Sequence, residues 1–478
     1  TMDAGPLARQ GLSKWQILGF GQLVMPMAVI GLPIAVYIPA FYSGTLGLDL
    51  AMVGIILTLA RLSDVVTDPI VGMLSDRTHT RWGRRRPWIV VGVFVMMLSS
   101  VMLFMPPEHV TNLYLFSWIA AIYLGYTLIE IPYGAWGAEL SHDYDERNRI
   151  TGSRNIFLLI GLLLAISVPI IAAGMATGAE EANKGAATRE AMSVLGWITA
   201  GMLPVCLFFL FRSVREPEVS SSTEVNFFKG MRIVMRNGPL RIVLIATLVG
   251  ALAGSINVGV AIFFFEHVAE LGKGSSVLIF VLFLAGVFGS PFWVRIGSAI
   301  GKHRGIGVAG FSSLAAFAFV PVVIYVVKPV YPDAVLPAML LITLIQGFTM
   351  GASPILGQSI LADVCDLDMI KSGEQRTAFL FSFLAMVKKI FEAIGIGIAL
   401  PVLAWSGFDP KAATNSDFSL FVLTAMYCLV PLTLWIISTT VIWQYPITHA
   451  RQVRLRAGLD KRLARKLAAS QTETIVRP

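Results

Sequence analysis

The sequence predicts an all-α membrane protein with twelve transmembrane helices, and three observations support this fold class: high hydropathy, low charge and regularly spaced apolar runs. Of the 478 residues, 56% are hydrophobic and 14% are charged, and the mean hydropathy is +0.74. Soluble domains carry about 25% charged residues, so this chain lacks the polar residues that would cover a soluble surface. The composition therefore excludes soluble enzyme folds.

The apolar runs are each long enough to cross a bilayer, which takes about 20 helical residues. Short polar breaks separate them, and no segments of short alternating hydrophobicity indicate a membrane barrel. The twelve predicted spans lie near residues 16–45, 51–73, 88–106, 111–138, 154–176, 191–212, 239–268, 276–298, 304–327, 334–361, 377–405 and 417–443.

The longest polar stretch divides the chain into two halves of six spans. We expect an N-terminal six-helix bundle at 1–211, a cytoplasmic linker at 212–238, a C-terminal six-helix bundle at 239–445 and a basic cytoplasmic tail at 446–478. A weak internal repeat indicates that the bundles are pseudosymmetric, as in many secondary transporters. The residues after span 2 that are echoed after span 8 are Gly72, Asp76, Arg77 and Arg81, matched by Gly289, Arg295, Gly297 and Lys302.

Lys and Arg fall on alternate loops, which predicts the orientation in the membrane. The loops at 47–49, 106–112 and 330–333 have neither residue, so the opposite loops and both termini are expected in the cytoplasm. The basic tail at 451–466 is expected to be solvated or to lie against anionic headgroups rather than to bind nucleic acid. The basic loop residues include Arg77, Arg81, Arg84, Arg147, Arg149, Arg212, Arg215, Lys302, Arg304, Lys371 and Arg376.

Charged residues inside the predicted spans are costly, at least about 2.5 kcal/mol each at the bilayer centre. In span 2, Asp64 and Asp68 lie one helical turn apart, and Arg61 lies one turn before Asp64. Two carboxylates on one face favour a cation site, either for Na⁺ or for H⁺ on a carboxyl of raised pKa. The alternative is a structural ion pair in which Arg61 neutralises Asp64.

Span 4 supplies further oxygen ligands on one helical face. Thr127 and Glu130 are three residues apart, and Pro132 frees a backbone carbonyl nearby. Hydroxyl, carboxylate and carbonyl oxygens can replace water around an alkali cation. We therefore predict that Asp64, Asp68, Thr127 and Glu130 form a cation site that could hold Na⁺.

Several other polar residues inside the spans are candidates for binding a substrate. Span 11 carries Lys388, Lys389 and Glu392, where at most one lysine faces a central cavity squarely and Glu392 is a candidate counter-ion. Arg154, which opens span 5, is equally well explained as a positive-inside anchor. Candidates elsewhere, which could instead form packing or interhelical contacts, are Gln22, Tyr133, Asn257 and Gln358.

Extended motifs resemble the glycoside-pentoside-hexuronide:cation symporter family of the major facilitator superfamily. The resemblance begins in span 2 and runs in order through nearly the whole chain. Its segments are Asp64 to Gly72, Ser75 to Thr78, Arg81 to Trp88, Ile131 to Tyr133, Glu139-Leu140, Asp145 to Arg147 with Arg154, Ala362 to Asp366, and Gly373 to Arg376 with Lys389.

The resemblance implies the major facilitator fold and symport of a solute with a cation by alternating access. It assigns the cation site to the four residues of spans 2 and 4, although Glu130 stands where the family has Asp, and it assigns sugar binding or gating to Arg154. It also favours Lys389 over Lys388 in span 11. Loop residues are expected to latch the cytoplasmic side: Asp76, Arg77, Arg81, Arg84, Asp363, Asp366 and Arg376.

The expected substrate is a small organic solute, with a sugar or glycoside first on the family resemblance. Sugar-transporting members carry an acid in span 1, whereas the stretch from Gln22 to Met27 has none. Unpaired sugar hydroxyls are costly to bury, so an amphipathic substrate such as a lysolipid is the alternative, as is a non-transporting receptor. An enzyme is not expected, and neither is a cofactor other than the coupling cation, Na⁺ or H⁺. A monomer is expected by analogy.

Overall fold

The computed structural model describes residues 12–78, 80–140, 144–175, 189–216, 237–272, 274–372, 377–412 and 414–446. Across these residues the chain is helical, and the one bridge of β type joins Thr80 to Gly83 in a loop. The description does not include any part of Arg376. Within the described helices it also omits the side chains at 76, 138–139, 144–148, 169–170, 172–175, 298, 362, 366, 368–372, 377–379 and 381–382.

The helices follow the predicted spans closely, because each apolar run can satisfy its backbone only within a helix. In order, spans 1 to 6 are Lys14–Gly21 with Val24–Ala40 and Phe41–Thr45, Leu50–Leu62 with Asp64–Arg77, Arg86–Phe104, Asn112–Glu139, Tyr144–Met175 and Arg189–Ser213. Spans 7 to 12 are Gly238–Phe263 with Phe264–Val268, Gly274–Ile300, Lys302–Phe317 with Val320–Val322 and Val323–Val327, Pro332–Ala334 with Val335–Met350 and Ala352–Ser372, Thr377–Trp405, and Asp417–Thr424 with Ala425–Leu429 and Val430–Trp443.

Eleven helical segments of the described chain are long and apolar enough to cross a membrane. The remaining predicted span, 377–405, is a 29-residue helix, Thr377–Trp405, that carries Lys388, Lys389 and Glu392. The chain is therefore an integral membrane protein whose helices match the predicted apolar runs one for one.

The helices group into two compact units. The first unit is residues 1–222 with 409–414, and the second is 223–408 with 415–478. Span 11 belongs to the second unit, while the loop segment that follows it, Asp409–Thr414, belongs to the first.

Close helix packing in the first unit depends on small residues, as is usual in membranes. A Cβ on Gly21 of span 1 would lie 2.3 Å from Oγ of Ser153 in span 5. A Cβ on Gly161 would lie 2.4 Å from the Met25 carbonyl oxygen. The Ser153 hydroxyl donates to the Ile17 carbonyl at 3.1 Å, so spans 1 and 5 are in contact along several turns.

The second unit uses the same device between spans 8 and 10. A Cβ on Gly289 or on Gly347 would lie 2.1 Å from a backbone carbonyl of the opposite helix. Trp293, which is 4% exposed, donates its indole N–H to the Phe348 carbonyl at 2.9 Å. This pair of helices is therefore held at a separation that admits no side chain at the two glycines.

Spans 1 and 7, the first spans of the two units, end in the same unusual way. Each finishes in a five-residue π-helical turn, Phe41–Thr45 in span 1 and Phe264–Val268 in span 7. The amides that follow bond back over five and six residues in both, at 2.9 Å each. Span 9 also ends in a π turn, Val323–Val327, and span 12 contains one at Ala425–Leu429, so the likeness of spans 1 and 7 does not by itself identify the internal repeat.

Candidate functional site

The chemistry-bearing residues of span 2 lie where its helix is locally distorted. The first helix ends at Leu62, and the second begins at Asp64 after a turn at Ser63. The Ser63 hydroxyl donates to the Ala60 carbonyl at 2.6 Å. Ser63 keeps helical dihedrals and its N–H still bonds to the Leu59 carbonyl at 3.3 Å, so Asp64 follows a local distortion within one continuous span.

Asp64 and Arg61 form an ion pair at this distortion. The Arg61 Nη1 atom lies 3.2 Å from Asp64 Oδ2, and the Asp64 side chain is 3% exposed. The Arg61 guanidinium also lies 5.0 Å from the centre of the Tyr123 ring, a cation–π distance. The predicted ion pair is therefore present, and it places a cationic group on one of the two carboxylates predicted to bind a cation.

Asp68 is joined to span 4 by a side-chain hydrogen bond. The buried Thr127 hydroxyl donates to Asp68 Oδ1 at 2.8 Å. Glu130, one turn further along span 4, is half-buried. The structure thus brings the span 4 hydroxyl into contact with one of the two span 2 carboxylates.

Tyr126 connects these residues to one another. Its ring lies within electrostatic range of both Glu130 and Arg61, and its hydroxyl donates to the Met27 carbonyl of span 1. Sequence reasoning did not single out Tyr123 or Tyr126 for the cation site. Tyr123 and Tyr126 lie four residues and one residue before Thr127, and this spacing does not separate them from ordinary membrane aromatics.

The carboxylates of Asp64, Asp68 and Glu130 do not converge on one ligand position. Among the described residues no group of three His, Cys, Asp or Glu side chains could hold a metal ion. A cation at Asp68 would therefore take neutral oxygens, such as the Thr127 hydroxyl, for the rest of its shell. The Leu128 carbonyl also lacks its usual helical donor, because Pro132 has no N–H.

Arg154 lies against the ring of Tyr133 at 4.8 Å from its centre. Tyr133 is completely buried: it stacks on Phe20 with ring centres 4.5 Å apart and donates its hydroxyl to the Phe20 carbonyl at 2.6 Å. Trp136, also completely buried, meets Phe20 edge-on. In this structure the Tyr133 ring packs against Arg154 and is not exposed as a wall of a substrate site.

The amide side chains predicted as substrate contacts have different surroundings. Gln22 is half-buried and donates to the Gly19 carbonyl of its own helix at 3.4 Å, whereas Gln358 is exposed. Asn257 donates to the Tyr427 carbonyl at 2.7 Å. Asn257 therefore makes the interhelical contact that was its alternative interpretation, linking spans 7 and 12.

The charges of span 11 are more open than those of span 2. Lys388 Nζ lies 3.5 Å from Glu392 Oε1, and their side chains are 52% and 33% exposed. Lys389 is half-buried on the neighbouring face. The predicted counter-ion, Glu392, is thus paired with Lys388.

The loop after span 2 is tied to the residues that follow span 6 by a carboxylate that the sequence analysis missed. Glu216 Oε1 accepts the backbone N–H groups of Arg84 at 3.0 Å and Arg85 at 2.9 Å. Gly83 has φ +116°, and a Cβ there would lie 2.2 Å from Glu216 Oε2. Arg77 and Arg81 are exposed.

The arginine that opens span 3 is fixed in the same region. Arg86 donates to the Val214 carbonyl at 2.9 Å and lies 5.1 Å from the ring centre of Phe211 and 5.6 Å from that of Trp136. Among the residues of the predicted latch in the first unit, Arg84 is held through its backbone N–H by Glu216. The Asp76 side chain lies outside the described residues.

The second unit has one buried ion pair near the predicted latch. Lys302 Nζ lies 2.7 Å from Oδ2 of Asp363, whose side chain is 5% exposed. Tyr445, just beyond span 12, is near Asp363; burial, and then the Asp363 charge, raises the pKa of the Tyr445 hydroxyl above its usual range. The Asp366 side chain and Arg376 lie outside the description, and Lys302 was predicted as a basic loop residue and as part of the repeat but not as part of the latch.

A family model described as MFS/sugar transport protein matches residues 19–449 of the chain. The chain belongs to the MFS/sugar transport protein family. This membership, with relatives named as glycoside/cation symporters, confirms the resemblance to the glycoside-pentoside-hexuronide:cation symporters.

The chain is similar over most of its length to curated relatives that include two differently named symporters. It is 23% identical to sodium-dependent lysophosphatidylcholine symporter 1 of Gallus gallus, over 98% of this chain and 93% of that protein. It is 24% identical to the putative glycoside/cation symporter YagG of Escherichia coli (strain K12), over 89% of this chain and 90% of that protein.

Solved structures of transporters share the fold of this MFS/sugar transport protein. The crystal structure of a D-xylose-proton symporter aligns with a TM-score of 0.57 and 12% identity, covering 91% of this chain and 97% of that chain. The nucleoside transporter NupG aligns with a TM-score of 0.62 and 12% identity, covering 91% and 98%. The predicted fold class, an all-α membrane protein with the major facilitator fold, is confirmed.

Proposed function

We propose that the protein is a cation-coupled secondary transporter that imports a small organic solute by alternating access, with a sugar or glycoside as the first candidate. The observation that carries this proposal is the buried Arg61–Asp64 ion pair beside the Thr127–Asp68 hydrogen bond. Intramembrane ionisable groups are expensive and mark ion pathways. The two relatives described above are both named as symporters, which supports the same function.

In the proposed mechanism the coupling cation, Na⁺ or H⁺, competes with Arg61 for Asp64. A cation bound among Asp64, Asp68, Thr127 and Glu130 neutralises the carboxylates and releases Arg61, which can remain over Tyr123. The change in charge balance then favours substrate binding, with Gln22, Arg154, Lys389 and Gln358 as proposed contacts. Linkage requires that the substrate raise the affinity for the cation by the same factor.

The test is uptake by the full-length protein in proteoliposomes, with a panel of radiolabelled glycosides and an imposed Na⁺ gradient, an imposed H⁺ gradient or none. Accumulation above the external concentration in one gradient alone would establish symport and its coupling ion. Full gradient-driven accumulation by Asp64→Asn would refute the cation assignment. Equilibration without accumulation in every gradient would refute coupling itself.

A lysolipid is the second candidate substrate, because the stretch from Gln22 to Met27 has no acid to bind sugar hydroxyls. The corresponding relatives are named lysophosphatidylcholine symporters. The two candidates are separated by competition: unlabelled lysophosphatidylcholine below its micellar concentration should abolish substrate-dependent stabilisation only if it occupies the site. A glycoside that stabilises the protein in Na⁺ and is unaffected by the lysolipid would establish the sugar.

We further propose that the protein is a monomer of the bacterial inner membrane with both termini cytoplasmic and with two six-helix bundles at 1–211 and 239–445. The alternate distribution of Lys and Arg supports this orientation. In it the loops bearing Arg81, Arg84 and Asp363 face the cytoplasm and act as the latch. Labelling of single cysteines introduced at Trp82 and at Val330, both exposed, should be confined to opposite sides of the membrane.

A further inference from the structure

An open groove lies at the start of span 7, apart from every residue of the proposed transport site. Its volume is about 370 Å³, and it is lined by Gly238, Pro239, Arg241, Ile242 and Ile245 of span 7 and by Pro446 after span 12. Arg241 is exposed, and Ile245 is 48% exposed. The groove thus combines one positive charge with an apolar floor.

The apolar floor continues along the helix away from the charge. Arg241 and Ile245 are one turn apart and share a face, and Ile242 lies beside them. Ile242 packs against the buried cluster of Leu240, Val243 and Tyr445, so this side of the groove is rigid. A ligand that fits has an anionic group followed immediately by an apolar chain.

The length of span 7 indicates at which level of the bilayer the groove lies. The span is 31 residues long, or about 46 Å at about 1.5 Å per residue, whereas the hydrocarbon core of a bilayer is about 30 Å thick. The first turn, which carries Arg241, therefore lies at headgroup level, and Ile245 lies about 6 Å deeper. In the proposed orientation, on which this step rests, the level is that of the cytoplasmic leaflet.

The charges around the groove favour an anionic headgroup. Arg241 is the charged residue of the lining, and no acid lines the groove within the described residues. Asn237, which is 6% exposed, caps the helix through its Oδ1, while its Nδ2 donor has no hydrogen-bond partner among the described residues.

We propose that this groove binds an anionic phospholipid of the cytoplasmic leaflet, with its phosphate at Arg241 and an acyl chain along Ile242 and Ile245. The lipid is a bound partner of the second unit rather than a transported substrate. Each basic residue near an anionic surface strengthens binding by about fivefold. Phosphatidylglycerol is therefore preferred to phosphatidylcholine of the same chain length.

The experiment uses the purified full-length protein in detergent, titrated with phosphatidylglycerol or phosphatidylcholine of identical chains while thermal stability and lipid adducts in native mass spectra are recorded. Arg241→Gln removes the charge and Ile245→Trp fills the groove. Arg212→Gln is the matched control, because Arg212 is also an exposed arginine at a span end but lies in the first unit. A further arm adds inorganic phosphate in place of lipid.

The expected result is that phosphatidylglycerol binds the wild type and Arg212→Gln alike, and binds Arg241→Gln about fivefold more weakly. Ile245→Trp should lose most of the adduct while keeping its melting temperature in detergent alone. Equal effects of the two glutamine variants, or equal binding of the two lipids by the wild type, would overturn the proposal. Stabilisation by inorganic phosphate equal to that by the lipid would also overturn it, in favour of a free-phosphate site.

Discussion

The ion pairs of span 2 and span 11 each join residues three or four apart within one span, but they differ in burial. The Asp64 side chain is 3% exposed and Arg61 is 24% exposed, whereas Lys388 is 52% and Glu392 is 33% exposed. Removing one partner from a buried pair leaves an uncompensated charge, while an exposed pair contributes little. The span 2 pair is therefore expected to contribute more to stability than the span 11 pair, and the proposal that it also binds the coupling cation can be tested through this difference.

The largest effect is expected from Asp64→Asn, which leaves Arg61 without its buried counter-charge. We expect a loss of about 3–5 kcal/mol of stability, together with loss of cation-dependent stabilisation. Differential scanning fluorimetry with and without Na⁺ measures both. The double variant Arg61→Gln with Asp64→Asn is the control: it should recover most of the melting temperature without recovering the response to the cation. Recovery of both would show that the pair is structural only.

A second, smaller effect is expected at Glu216, a carboxylate bonded to backbone rather than to a charged side chain. Glu216→Gln keeps the shape but weakens two charge-assisted hydrogen bonds to Arg84 and Arg85, at a cost of about 1.5–3 kcal/mol. Chemical denaturation in detergent is the measurement. Glu190→Gln is the matched control, because Glu190 is exposed in the same unit, and its stability should be unchanged.

A third prediction concerns Asp68, the other carboxylate of span 2, and uses the variant Thr127→Val. The change removes the hydrogen bond to Asp68, which is half-buried and can accept water instead, so the stability loss should be about 1 kcal/mol. The affinity for the coupling cation should fall more clearly, by about tenfold if one ligand oxygen is lost. Thr127→Ser retains the hydroxyl and should retain the affinity. Cation titration of thermal stability distinguishes the two variants.

The smallest stability effect is expected for Lys388→Ala, at about 0–1 kcal/mol, since its pair with Glu392 is largely exposed. Its melting temperature should be within error of the wild type. A loss as large as that of Asp64→Asn would erase the contrast between the two pairs. Lys389→Ala, measured beside it for substrate-dependent stabilisation, tests which lysine contacts the substrate.

The positions of the spans follow from hydropathy because the bilayer imposes one length and one backbone solution on every segment. The Arg61–Asp64 pair was equally accessible from sequence, since it depends on helical spacing alone. Its burial was not, because burial depends on the facing Tyr123 and on span 4. Tyr133 illustrates the same limit: its sequence position suggests a site wall, but stacking on Phe20 encloses it.

Glu216 was missed for a different reason. It contacts residues far from it in the sequence, and its position requires the positive φ of Gly83, which no pattern of residue types reveals. The sequence also does not separate Glu216 from Glu218 and Glu224, which lie in the same polar stretch after span 6.

The hydrogen bonds between Glu216 and the loop after span 2 can form only late in the synthesis of the first unit. Glu216 and Arg84 are 132 residues apart in the chain, and at about 5–20 residues per second synthesis of that stretch takes about 7–26 s. Until the ribosome has passed residue 216 this bond cannot form, whereas the short turn between Thr80 and Gly83 depends on the loop alone. For many seconds of synthesis the arginine-rich loop of the first unit therefore lacks its hydrogen bonds to Glu216. These bonds can form once the Glu216 carboxylate has been added to the chain.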